Sequence, residues 1–212
     1  MFNFDEYVAG RITGHLTIHK RFDDGSEEMV FDDHNVIVSG MSVGLSMMFT
    51  GSGSDAVTDY QIGKFQVGAS GLNAPPDSST VYSLSGAIDN EDAYGGDAGN
   101  IVVTSLGPIE NGVVVGNKVF GFIPFSRVTR IDDTTVRYTI ILDKDSCNNL
   151  TDDDTGVSGG TEDVDLNEIG LFMNNPIGSK AFSAPILVAY RTFTGIRKSD
   201  QFALVFRWSV NF

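Results

Sequence analysis

The chain has 212 residues, 41% of them hydrophobic, a net charge of −14 and a single cysteine, Cys147. That length suits one undivided domain spanning 1–212, and a lone cysteine excludes an internal disulfide. Residues 69–98 carry five acidic side chains and no Lys or Arg, and residues 143–165 carry eight against Lys144 alone, so these two segments hold −12 of the −14. Nucleic acid is excluded as a partner, because a duplex needs a basic footprint that this composition lacks. The N-terminus, Met-Phe-Asn-Phe-Asp-Glu, is acidic where a signal peptide is basic, and no apolar run approaches the ~20 residues of a membrane span. The expectation is a soluble chain made in a cytoplasm, with no membrane partner.

In chain order, residues 10–22 read as a first strand, with Ile12, Leu16 and Ile18 on one side, and Asp23-Asp24-Gly25-Ser26 as a turn. Residues 28–39 resume extended structure. The period then changes: Met41, Leu45, Met48 and Phe49 recur at helical spacing, which predicts one short amphipathic helix over 41–49. Strands are expected at 60–68, 101–105, 118–129, 134–142, 165–173 and 186–193. The clearest is 134–142, with Val136, Tyr138, Ile140 and Leu142 inward and Thr135, Arg137 and Thr139 outward. Arg130-Ile131-Asp132-Asp133 reads as the tight connection before it. Two long acidic loops, 69–98 and 143–165, separate these strands and read as contact surfaces outside the fold.

The last stretch organises the rest. In 201–212 every even position is apolar: Phe202, Leu204, Phe206, Trp208, Val210 and Phe212. Twelve alternating residues make a strand of roughly 40 Å at about 3.4 Å per residue, too long and apolar to lie at a free edge. It is expected to be the spine of the sheet, with Trp208 in the core. Eight or more strands and one helix predict an all-β fold, an antiparallel β-sandwich or jelly-roll-like arrangement.

Chemistry-bearing motifs are few. Gly40-Met41-Ser42-Val43-Gly44 matches the nucleophile elbow, G-x-S-x-G, between a strand and a helix. Hydrolases of that class order their triad Ser, acid, His, whereas His15, His19 and His34 all precede Ser42. The glycines then serve a strand-to-helix bend, with Ser42 as a cap. His15 and His19, four apart on a strand, stand about 13 Å apart and do not share a metal. Asp152-Asp153-Asp154-Thr155-Gly156 is calcium-like, but Val157 and Asp163 stand where an EF-hand has its Gly and Glu. Glu168 lies in an apolar strand and needs a partner, for which Arg191 and Arg207 are the candidates. No catalytic, cofactor-binding or metal-binding residue is assigned, and no enzyme activity is expected.

The order of motifs nonetheless resembles a known group. Leu-Asn-Glu-Ile-Gly-Leu-Phe (166–172), Leu-Val-Ala-Tyr-Arg-Thr-Phe (187–193), Ile-Arg-Lys-Ser-Asp (196–200) and Leu-Val-Phe-Arg-Trp-Ser-Val-Asn-Phe (204–212) resemble tailed-bacteriophage structural proteins. They are similar to tail, neck and baseplate proteins of cyanobacterial phages and, more loosely, to phage tail-collar fibre proteins. Asn35-Val36-Ile37-Val38-Ser39-Gly40 and Phe65-Gln66-Val67-Gly68 agree in order. The resemblance implies a non-enzymatic virion protein, assembled in the host bacterial cytoplasm, whose partners are other copies of itself and neighbouring phage proteins. The alternative is a receptor- or glycan-binding fibre-tip module assisted by calcium.

Overall fold

In the computed structural model, which describes residues 12–50, 57–71, 83, 84, 86–95, 101–106, 109, 110, 113, 114, 116, 118–156, 159–175 and 184–212, the alternating segments are strands. They are β1 (Thr13–Arg21), β2 (Glu27–Ile37), β3 (Ile62–Gly68), β4 (Val103–Leu106), β5 (Ile109–Glu110), β6 (Val113–Val114), β7 (Lys118–Phe122), β8 (Val128–Arg130), β9 (Thr135–Leu142), β10 (Leu166–Met173), β11 (Ile186–Ile196) and β12 (Ala203–Asn211). The segment of helical period forms α1 (Ser39–Thr50). No helix among the described residues is long and apolar enough to cross a membrane. The sequence features at 10, 51–54, 74–77, 82 and 96–97 lie outside the described residues.

Ten of the strands form one antiparallel sheet in the order β4-β7-β3-β10-β11-β2-β1-β12-β9-β8, and β5 pairs with β6 alone. The sheet curls strongly into a half-barrel. This corrects the expected sandwich or jelly-roll. Two five-stranded halves are present, but they are continuous, because β2 pairs with β11 through Val36–Tyr190 and Ile37–Ala189. Alternation tells which face of a strand is buried and not whether the facing layer belongs to the same sheet. Strand twist supplies part of the curl. Register shifts at Ile18/His19 and at Leu171/Phe172 supply more, since a bulge bends its strand.

The core fills the concavity. Leu16 and Ile18 of β1 and Phe206 and Trp208 of β12 belong to the same buried cluster as Phe65 of β3 and Leu171 of β10. The convex face of the second half is also covered: Phe120, Phe172, Leu187 and Tyr190 are buried together with Leu84 and Ala87. Gln66 fastens that cover. Its Nε2 donates to the Val119 carbonyl at 2.9 Å, and its Oε1 accepts from the Leu84 amide at 2.9 Å and Ser83 Oγ at 3.1 Å.

β12 is the expected spine, paired along its length with β1 on one side and β9 on the other. Leu204, Phe206, Trp208 and Val210 are core residues, whereas Phe212 lies past the strand end and is 42% exposed. The segment 118–129 is two strands rather than one. Pro124 cannot donate to a ladder, and Phe125–Arg127 turns the chain from β7 into β8. β8 then pairs with β9 as a hairpin.

The long acidic loops were expected to lie outside the fold, and their described residues do not. Ile88, Tyr94, Cys147 and Leu150 are core residues, and the Tyr94 ring packs edge-on to Phe65 at 6.3 Å. The two loops also bind each other. Asp89 N donates to the Asp154 carbonyl at 2.8 Å, and Asn90 Nδ2 donates to Asp154 Oδ1 at 2.9 Å. Apolar residues spaced too irregularly for a strand or helix gave no periodic signal of this burial.

Trp208 is 0% exposed, and its indole N–H has no partner among the described residues. Truncation there removes packing without orphaning a polar group. Trp208→Ala is expected to lose about 3–5 kcal/mol of stability, read from denaturant unfolding of the two proteins. A loss under 1 kcal/mol would show that the ring does not hold the two halves together.

Candidate functional site

The G-x-S-x-G motif is explained by packing. α1 lies against β11 and the end of β10, and a Cβ on Gly40 would sit 1.9 Å from the Leu187 carbonyl oxygen. A Cβ on Gly44 would sit 2.1 Å from Met173 Sδ. The glycines therefore let the helix approach the sheet, which replaces the expected role in a bend. Ser42 is exposed in the first turn of α1, three residues past its start, so it does not cap the helix. It lines a cleft of about 510 Å³ that His34 also lines, but no hydrogen bond joins the two side chains.

The other singled-out groups are each held locally. His15 Nε2 lies 2.7 Å from Asp32 Oδ1, with its ring edge-on to His34 at 5.5 Å. His19 contacts Thr17 Oγ1 at 3.2 Å, and burial followed by the Arg207 charge pushes its pKa down. Asp152–Thr155 is a short 3₁₀ turn with a capping box: Asp154 Oδ2 accepts from the Thr151 amide at 2.9 Å. Among the described residues, no group of three or more His, Cys, Asp or Glu is placed to hold a metal ion.

Glu168 is buried, as its apolar neighbours require, but its partners differ from those expected. Tyr190 Oη donates to Oε2 at 2.8 Å and the Ser70 amide donates to Oε1 at 3.1 Å. Burial, then this bond, pushes the Tyr190 pKa up. Arg191 instead pairs with Asp33, and Arg207 Nη2 bonds Glu27 at 2.8 and 2.9 Å. The carboxylate ties the convex cover to the sheet.

Two features were not legible in the sequence. The register puts the starts of β1, β3, β9 and β11 and the ends of β10 and β12 at one end of the half-barrel. There an apolar cleft of about 310 Å³ opens between α1 and the sheet, lined by Leu45, Met48, Ile123, Phe125, Met173 and Phe212 among others. Phe125 is 80% exposed, and Phe49, the neighbour of Met48, is 83% exposed. The opposite end carries the turn at Asp23–Asp24 and the described residues of both acidic segments. The second feature lies beneath the surface, where Lys64 and Lys198 are buried at separate places. Lys64 lies over the Phe122 ring at 5.1 Å and donates to Asn174 Oδ1, and burial pushes its pKa down to about 8.

No protein-family model, curated protein or solved structure matches the chain.

Two outcomes follow from this geometry. Gly40→Ala is expected to cost about 1–3 kcal/mol or more, because the added methyl meets backbone, whereas Ser42→Ala stays within about 0.5 kcal/mol. Chemical denaturation of both variants separates the packing role from a catalytic one. The lysine sets a pH dependence. Between the folded pKa of about 8 and the unfolded 10.5, the unfolded chain binds more protons at Lys64, so stability rises with pH across that window. Lys64→Met is expected to flatten the rise. An unchanged slope would mean that Lys64 titrates normally.

Proposed function

We propose that this chain is a non-enzymatic structural protein of a tailed-phage virion, which associates with copies of itself through the apolar end of the half-barrel and docks to neighbouring tail, baseplate or neck proteins. The observation that carries the reading is the exposure of Phe125 and Phe212 at one apolar cleft, with Phe49 exposed beside the cleft residue Met48. Single exposed apolar residues are ordinary on a protein surface, but a contiguous patch of large ones marks a contact. Aromatic side chains are also where interface energy concentrates. The order of the motifs at 35–40, 65–68, 166–172 and 204–212 supports the virion setting. A second copy suits this end because the acidic loops lie at the other, so two apolar ends meet without bringing the densest charge together.

Phe125 is exposed enough to be changed without touching the core. Phe125→Asp should remain folded by circular dichroism and sediment as a monomer at concentrations where the parent protein is an oligomer. A parent protein that stays monomeric throughout, or a variant that associates equally well, would overturn the proposed interface.

A further inference from the structure

We propose that Lys198 and Asn148 are joined covalently, by an isopeptide bond between the lysine amine and the side-chain carbonyl carbon of the asparagine. Lys198 lies in the turn between β11 and β12, only 2% exposed. Its Nζ donates to Asn148 Oδ1 at 2.8 Å and to the Ser199 carbonyl at 2.8 Å, with the Phe202 ring centred 5.4 Å away. Asn148 Nδ2 donates in turn to the Lys144 carbonyl. The backbones are fixed to each other as well, Asn149 N donating to the Lys198 carbonyl at 3.0 Å. Both reacting side chains are therefore held, with the amine against the oxygen of the amide whose carbon it would attack, an arrangement in which positioning replaces collision.

An ammonium in this setting is costly, since it is buried without an ion pair and among Phe202 and Cys147. Burial pushes the Lys198 pKa down to about 8, against the pull of Cys147 first and then of the Asp143, Asp200 and Asp145 charges. A fraction of the amine is then neutral near physiological pH and has a lone pair to donate. Of those three carboxylates only Asp143 is half-buried, and its Oδ1 accepts from Ser146 Oγ at 2.8 Å. We assign it the proton relay.

The step balances without any co-reactant. The Nζ lone pair attacks Asn148 Cγ, forming the C–N bond and a tetrahedral centre. The Asp143 carboxylate takes a proton from the attacking nitrogen and passes it to Nδ2. The Cγ–Nδ2 bond breaks, ammonia leaves, and the carboxylate is regenerated. The product is a neutral secondary amide, which removes the buried charge and closes a loop between positions 50 residues apart. Lys64 and Asn174 form a comparable part-buried pair on the convex face, but among the described residues no carboxylate charge acts on that amine. One bond is expected, not two.

The test is the intact mass of the denatured full chain after incubation at a pH of about 8, followed by proteolytic mapping. The expected result is a deficit of one ammonia and a branched peptide containing both Asn148 and Lys198. Lys198→Arg and Asn148→Ala should each show the full mass, and Asp143→Asn should acquire the deficit more slowly. Cyclisation of Asn148 on its own backbone also releases ammonia, but it leaves no branched peptide and persists in Lys198→Arg. A deficit with that behaviour, or a full-mass parent chain, would overturn the proposal. A second branched peptide at Lys64, or an unchanged rate in Asp143→Asn, would overturn the relay.

Discussion

The whole architecture turns on two residue pairs, Val36–Tyr190 and Ile37–Ala189, which among the described residues are the only paired positions between the two halves of the sheet. β2 runs beside β1 for most of its length and touches β11 only at its end. Just past the seam, Val38 N donates to the Val188 carbonyl at 3.2 Å, and α1 begins at Ser39. The seam thus sets the angle between the halves and the place where the helix crosses their end. Side chains take over where the rungs stop. Phe31 of β2, Phe193 of β11 and Phe206 of β12 pack in sequence as tilted rings at 6.0 and 6.2 Å, and Arg191 reaches from β11 over Phe31 to Asp33. Removing a few rungs would cost little by itself, since each hydrogen bond contributes only about 1 kcal/mol net. The concave core does the rest.

That division explains what the sequence made legible. β9 and the second half of β12 were readable because each has one buried face, and alternation reports burial directly. α1 was readable from its helical period, but of the expected face Met41, Leu45, Met48 and Phe49 only Met41 is buried, and Phe49 is 83% exposed. The seam was not readable, because Val36, Ile37, Ala189 and Tyr190 look like any other strand residues and nothing local says that they meet. Glu168 shows the same limit at the level of chemistry. Its burial and its need for a partner follow from its neighbours, but its partners come from Ser70 and Tyr190, 98 and 22 residues away. Charge alone favoured an arginine. Here a hydroxyl and an amide satisfy the carboxylate, and both available arginines are drawn to Asp33 and Glu27 at the surface.

The G-x-S-x-G motif reverses the usual lesson about glycine. Its pattern suggested chemistry, yet the two positions are fixed by what lies opposite them, Leu187 and Met173. Close approach of helix to sheet and close approach of backbone to a substrate impose the same demand, the absence of a Cβ. Sequence cannot separate those causes. The candidate site read from structure lies elsewhere, at Phe125 and Phe212, which no spacing rule groups because they come from a turn and a strand end.

The separation of the two ends finally accounts for how so acidic a chain can present an apolar contact. Net charge of −14 opposes association. β12 has nine residues, so at about 3.3 Å each the strands hold the ends roughly 30 Å apart. The Debye length is about 10 Å at 0.1 M salt, so the acid of the loops is screened over about three such lengths before it reaches the cleft. Near Phe125 the charged groups are instead Arg127 and Arg130, with Asp132 and Asp133 following in the hairpin turn. Repulsion is therefore local to the acidic end, where Lys118, Lys144 and Arg197 offset part of it by pairing with Asp89, Asp23 and Asp165. Strand length, set by the alternation of apolar residues, is what lets one molecule keep a charged end and an apolar one.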